Sequence, residues 1–299
     1  MEQQSIQREE WNSKLGFILA AVGSAVGLGN LWGFAYRSSQ GGGAAFVLLY
    51  IFVVLVVGIP IFVAEFSLGR STNTSAVLAP IKAAGKKWAA LGFLFLIAPI
   101  SIASYYAVIM GWTADIFFQS IFVGLPENTD QAGELFNLIH NGSRDFIGQI
   151  FSLVLAFFIV SGGITKGIEK LNKICMPILF IILFGLVIWA AFLGNAGEGY
   201  RNFLFNFNLS QLFNPSTIRN AFSQAFFSLS LGIGIMITYA SYLNKKSNLT
   251  KQAVQIASLD TTVGLMAGLI TFPIIFTFGL NETISNSTIA TLFITIPSG

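Results

Sequence analysis

Two short stretches set small and polar residues into the middle of long apolar runs. One reads Gly23-Ser24-Ala25-Val26-Gly27-Leu28-Gly29-Asn30, the other Ser228-Leu229-Ser230-Leu231-Gly232-Ile233-Gly234. Each glycine costs a helix interior up to about 1 kcal/mol relative to alanine, so neither stretch favours unbroken helix. One reading is close helix packing through small residues, which is common in membranes. The other is unwinding, which frees carbonyl oxygens to hold a cation and creates half-helix amino termini whose amides attract an anionic group. Non-helical backbone at membrane depth is tolerated only where it lines a cavity or lies inside protein. Interrupted spans at corresponding positions of two halves point to a transporter site. Asp260 adds a carboxylate inside another apolar run, a costly placement that is functional by default. Glu65 and Gln224 are further polar groups in such runs. Glu65 is expected to be a buried hydrogen-bonding group behind the unwound stretches.

The elements that must carry these residues are membrane spans. Of the 299 residues, 54% are hydrophobic and 10% charged, whereas a soluble domain carries roughly 25% charged residues. A bilayer core needs about 20 apolar residues per helix. Seven runs qualify, near 14–36, 44–68, 89–123, 146–163, 174–194, 218–242 and 253–280. The third is long enough to tilt or protrude. Segment 164–173 reads as a short amphipathic connector on the cytoplasmic side, and the aromatic loop 195–217 as a segment packed across the outer face. No low-complexity linker interrupts the chain, so one membrane domain over 1–299 is expected. The mixed-charge start MEQQSIQREEWNSK does not resemble a cleavable leader.

Alternate loops are basic. Arg70, Lys82, Lys86 and Lys87 follow the second span, Lys166, Lys170 and Lys173 the fourth, and Lys245, Lys246 and Lys251 the sixth. The loop near 124–145 instead carries Glu127, Asp130, Glu134 and Asp145 against Arg144. This is the positive-inside pattern, and it predicts a cytoplasmic amino terminus in a multi-pass cell-membrane protein. A single cysteine, Cys175, and a single histidine, His140, leave little material for a disulfide framework, a transition-metal site or histidine-based catalysis. The glycine pattern GLGN lies inside an apolar span, not after a strand, so it is no nucleotide loop. An enzyme is not expected, and neither is a nucleic-acid partner.

Several stretches together resemble the neurotransmitter:sodium symporter family, in its bacterial amino-acid transporter branch. REEWNSKLGFILAAVGSAVGLGNLW is similar to the family's first span, and GGGAAFVLLY with VGIPIFVAEFSLGR to its second. SYYAVIMGW is similar to the third, KGIEKLNKICMPILF to the start of the fifth and FFSLSLGIGIMITYASY to the sixth. The resemblance implies an all-α inverted-repeat fold whose first and sixth helices are broken mid-membrane. The first repeat would cover about 14–194 and a partial second repeat about 218–299. The sequence stops at FITIPSG, which resembles the outer loop before an eighth span, so an amino-terminal fragment is expected.

Carried over residue by residue, the resemblance implies a first sodium site from the Ala25 carbonyl, Asn30, Ser228 and Asp260, completed by the substrate carboxylate. The Leu28 and Gly29 amides and the Tyr106 hydroxyl would hold that carboxylate. Gly27 stands where monoamine-carrying relatives place an aspartate, which favours a ligand bringing its own carboxylate. Ile102, Phe227, Ser230 and Ile233 would form a pocket for a neutral, hydrophobic side chain, with Ala25, Gly27 and Ser228 also among the substrate-binding residues. The Gly23 and Val26 carbonyls would begin a second sodium site. Arg8 and Trp11 resemble the inner-gate pair. Sodium ions would be required, and no organic cofactor.

Some positions depart from the family pattern. Gly33 replaces the outer-gate arginine and Ala35 the usual proline, with Arg37 one turn on as a possible substitute or a plain loop arginine. Asp260 stands where asparagine is common, and Gly264 where chloride-dependent relatives carry serine. Asp260 is therefore expected to supply the negative charge that chloride supplies elsewhere, so that chloride is not required. The expected activity is sodium-coupled import of an amino acid by alternating access in a lipid bilayer. A channel and a non-transporting sensor or remnant are the alternatives, and no oligomeric state is implied.

Overall fold

A computed structural model describes residues 9–126, 128–140, 143–279 and 293. Among them every regular element is a helix. Nine helices frame the site. α1 (Lys14–Ala25) and α2 (Gly29–Gln40) are the halves of the first run, α3 is Ala44–Thr72, α4 Lys86–Phe122, α5 Arg144–Ser161 and α6 Ile164–Ala191. The sixth run divides into α7 (Pro215–Ser228) and α8 (Ile235–Ala240), and α9 is Leu249–Phe278. Five of these are long and apolar enough to cross a membrane unaided, and α1 with α2 make a sixth.

The first span starts at Ser13, whose Oγ accepts the Gly16 N–H at 2.9 Å, satisfying one of the orphan amides of a helix start. It ends where Val26 turns extended (φ −70°, ψ 118°), and α2 leaves at 69° to α1. Asn214 caps α7, its side chain accepting from Ser216 N, and Pro215 takes the first helical position, where its missing N–H costs nothing. The segment between α7 and α8 is left-handed at Ser230 (φ +52°), Gly232 (φ +76°) and Gly234 (φ +81°). Both runs are therefore broken where the small residues cluster.

Burial separates a centre from a rim. Half of the most apolar stretch of α9 and 39% of that of α3 are buried, against 11% for α4 and 6% for α5. Phe17, Phe34, Phe46, Tyr50, Phe62 and Phe66 pack between α1, α2, α3 and α9 with no exposed surface. α4 and α5 pack mainly on each other and turn Phe93, Leu94, Phe157 and Phe158 outward, as a lipid-facing surface requires. At 37 residues, α4 runs to roughly 55 Å, well past the bilayer core of about 30 Å.

The expected connector at 164–173 is corrected: those residues are the opening turns of α6, which runs unbroken from Ile164 to Ala191. Its lysines made a helix start look like a surface link. The loop 195–217 does pack, through short helices at Ala196–Tyr200, Arg201–Phe205 and Leu209–Leu212. Phe203 is fully buried, 4.9 Å from Phe272 between ring centroids, in space left by Gly268.

Candidate functional site

Three side chains from three spans meet at the first break. Asn30 enters from α2, Ser228 from the last turn of α7 and Asp260 from the middle of α9, all at most 1% exposed. Asn30 Nδ2 donates to Ser228 Oγ at 2.7 Å and to Asp260 Oδ1 at 2.8 Å, and the Ser228 hydroxyl donates to Asp260 Oδ2. Asn30 Oδ1 accepts the Gly27 N–H at 3.1 Å. The Tyr50 hydroxyl stands beside Ser228, Asp260 and Thr261. The cluster thus holds one carboxylate amid neutral oxygen groups, a donor set that suits a hard cation of single charge. Among the described residues, no group of three or more His, Cys, Asp or Glu side chains gathers as for a divalent metal.

A cavity of about 970 Å³ opens beside this cluster. Ala25, Gly27, Leu28, Gly29, Ile102, Tyr106, Phe227, Ser230 and Ile233 all line it, and so do Gly23, Val26 and Asn30. Ser228 alone of the expected substrate residues is absent from that lining; it is turned into the cluster instead. Ile102 and Tyr106 lie one turn apart on α4, so they present one face. The Tyr106 hydroxyl faces the first break, where a Cβ on Gly27 would lie 3.5 Å from it. The Phe227 ring packs directly on Gly29, which leaves no room for a side chain there, and lies 6.5 Å from the Tyr106 ring. A small anionic group here would meet backbone amides and a phenol on one side and apolar rings on the other.

The family model described as the Sodium:neurotransmitter symporter family matches residues 8–138 and 134–292. The chain belongs to that family. The sodium-dependent transporter YhdH of Bacillus subtilis is 37% identical over 93% of this chain and 61% of its own length. The sodium-dependent neutral amino acid transporter B(0)AT2 of Mus musculus is 30% identical over 90% of this chain and 41% of its own. Among solved structures, MhsT in complex with L-phenylalanine superposes with a TM-score of 0.88 and is 42% identical, covering 97% of this chain and 66% of its own. The chain therefore spans about three fifths of the length of such a relative as YhdH.

Other residues singled out in the sequence lie around the breaks. Trp11 donates its indole N–H to the Tyr239 carbonyl of α8 at 2.9 Å and meets the Tyr239 ring edge-on. Arg8 lies outside the described residues. Gly23 faces Asn172 and Met176 of α6, so close packing demands its small size. Arg37 lines the cavity and donates to Gln224 Oε1 at 2.9 Å, while Gln224 Nε2 donates to the Gly29 carbonyl at 3.0 Å. That relay ties the start of α2 to α7. Sequence reasoning had marked Gln224 and Arg37 separately, and nothing in their spacing of 187 positions joins them. Glu65 Oε1 accepts the Gly232 N–H at 2.7 Å, inside the second break.

Proposed function

We propose that the polypeptide carrying this chain is a sodium-coupled symporter that imports a neutral, hydrophobic amino acid by alternating access. The observation that carries this reading is the first break itself: its two sides serve one buried ion cluster and one half-apolar cavity. Asn30, Ser228 and Asp260, with the Ala25 carbonyl, would hold sodium once the Asn30 amide turns its oxygen toward the carboxylate. The substrate carboxylate, held by the Leu28 and Gly29 amides and the Tyr106 hydroxyl, would add a further oxygen to the same ion. Sharing that oxygen makes each ligand raise the affinity of the other, and the coupling is necessarily reciprocal. Ile102, Phe227, Ser230 and Ile233 would receive the side chain, and the absence of a fixed charge among them favours a neutral one. Gly23 and Val26 would contribute to a second sodium site.

The similarity to MhsT with L-phenylalanine and to a neutral amino acid transporter supports the substrate class. Chloride independence is part of the reading. Asp260 brings a negative charge to the cluster, and the place beside Gly264 is filled by the Phe34 ring, 3.0 Å from where a Cβ would stand. The basic loops support a cytoplasmic amino terminus, with 1–299 forming one transporter domain built of a first repeat and part of a second. The test is thermal stabilisation of the full-length polypeptide by a panel of amino acids, in sodium and then in potassium. At a hundredfold excess over Kd, a bound ligand stabilises the native state by about 2.7 kcal/mol. Stabilisation by apolar amino acids in sodium alone is expected. No response, or an equal response in potassium, would reject the reading.

A further inference from the structure

Away from the cavity, the residues leading into α1 cross the start of α6, and each segment sends a carboxylate to the other's helix start. Glu169 Oε2 accepts the Asn12 N–H at 2.9 Å, and its Oε1 accepts the Ser13 hydroxyl at 3.2 Å. Ser13 is the residue that caps α1, so Glu169 fixes the cap that fixes the helix. In return Glu9 Oε2 accepts the N–H of Ile164, the first residue of α6, at 3.0 Å. Gly163 makes that approach possible: it turns at φ +73°, and a Cβ on it would come 3.0 Å from both Glu9 carboxylate oxygens.

Burial makes the Glu169 half of this exchange demanding. Glu169 is 1% exposed and its charge is balanced by Lys173, 2.6 Å away and one turn on. Gly16 leaves the room that the carboxylate occupies; any side chain there would overlap it. Hydrogen bonds to a charged group are each worth about 1.5–3 kcal/mol, and a carboxylate at a helix amino terminus gains further from the helix dipole. Neither glutamate reaches the ion cluster or lines the cavity.

We propose that Glu9 and Glu169 form a reciprocal carboxylate clasp between the entry to α1 and the start of α6, with Glu169 as the positioning residue that sets how readily α1 swings away. α1 carries Gly23 and Ala25 on the cavity wall, so its departure dismantles one side of the ion site. Resting on the symport reading above, the clasp and bound sodium then favour the same position of α1. Weakening one must be offset by more of the other.

Hydrogen exchange of the full-length polypeptide in lipid nanodiscs, with Glu169→Gln and Glu9→Gln, reads this directly, because exchange reports local opening. In potassium, both variants are expected to exchange about tenfold faster than the parent over residues 9–25, as the loss of one charge-assisted bond implies. Exchange over α9 should not change. Sodium with an apolar amino acid should restore the slow rate, which a general packing defect would not allow. Unchanged exchange at 9–25 in both variants overturns the clasp, and so does an equal rise across α9. Glu9 is exposed, so its variant keeps the test decisive even where Glu169→Gln fails to fold. Faster exchange in potassium that sodium does not slow upholds the clasp and counts against the symport reading instead.

Discussion

The two broken spans solve the same problem differently. The first break is a short bend: Val26 turns extended, and no residue from Val26 to Leu28 takes a left-handed conformation. It is held by side chains from elsewhere, since Gln224 takes the Gly29 carbonyl and Asn30 its own Gly27 amide. The second break is longer and carries its strain in the backbone, with three left-handed residues, one of them Ser230. A left-handed non-glycine residue costs roughly 1–2 kcal/mol, offset here by the Glu65 carboxylate on Gly232. The contrast teaches where each break is sensitive. The first is limited by what lines its cavity, the second by whether its backbone can exist.

Substitutions at matched glycines test that contrast most severely. Gly234→Ala would force φ +81° on an L-residue and drive a Cβ to 2.9 Å from Ala76 and 3.0 Å from Phe95. Strain and overpacking together should destabilise the protein by about 3 kcal/mol, read as a loss of denaturation midpoint in detergent. A stable Gly234→Ala protein would refute the strained-backbone account. Next in size is Asp260→Asn, which keeps the shape of the ion cluster and removes its charge. Sodium binding should weaken about thirtyfold, the equivalent of roughly 2 kcal/mol, with a new response to chloride, measured by sodium titration of ligand-induced stabilisation. An unchanged sodium midpoint would separate the cluster from the ion.

Smaller effects sharpen the comparison. Tyr106→Phe removes the phenol at the first break, and amino-acid affinity should fall about tenfold while unfolding stays near that of the parent. If affinity holds, the carboxylate sits elsewhere. Glu65→Gln retains an acceptor for Gly232 but not the charge, so about 1 kcal/mol of stability should go, with the sodium midpoint unmoved. Least is expected of Gly27→Ala in folding, because its Cβ would meet only the Tyr106 side chain, nearest at the hydroxyl 3.5 Å away. Stability should change by less than about 1 kcal/mol while amino-acid binding weakens, the reverse of the Gly234 result.

Most of the helical frame was legible without coordinates. The third run, read at 89–123, is α4 at Lys86–Phe122, and the seventh, read at 253–280, is α9 at Leu249–Phe278. Hydropathy summed over about 20 residues is insensitive to any one of them. The opening turns of α6 were misread because Lys166, Lys170 and Lys173 lower that sum where the helix is still continuous. The Asn30–Ser228–Asp260 cluster was legible only through family resemblance. Asn30 and Asp260 stand 230 positions apart, and no local pattern pairs them.

The sequence alone determined that this chain lives in lipid, most of where it crosses, and where two crossings are weakest as helix. Lipid penalises charge, glycine lowers helix stability, and both effects act locally along the chain. Only the tertiary structure decided what the interruptions face: Asp260 across from Asn30, Phe227 closing on Gly29, Glu169 seated against Gly16. Those pairings depend on how whole helices cross, so their partners are chosen by packing over long separations and not by neighbours in sequence.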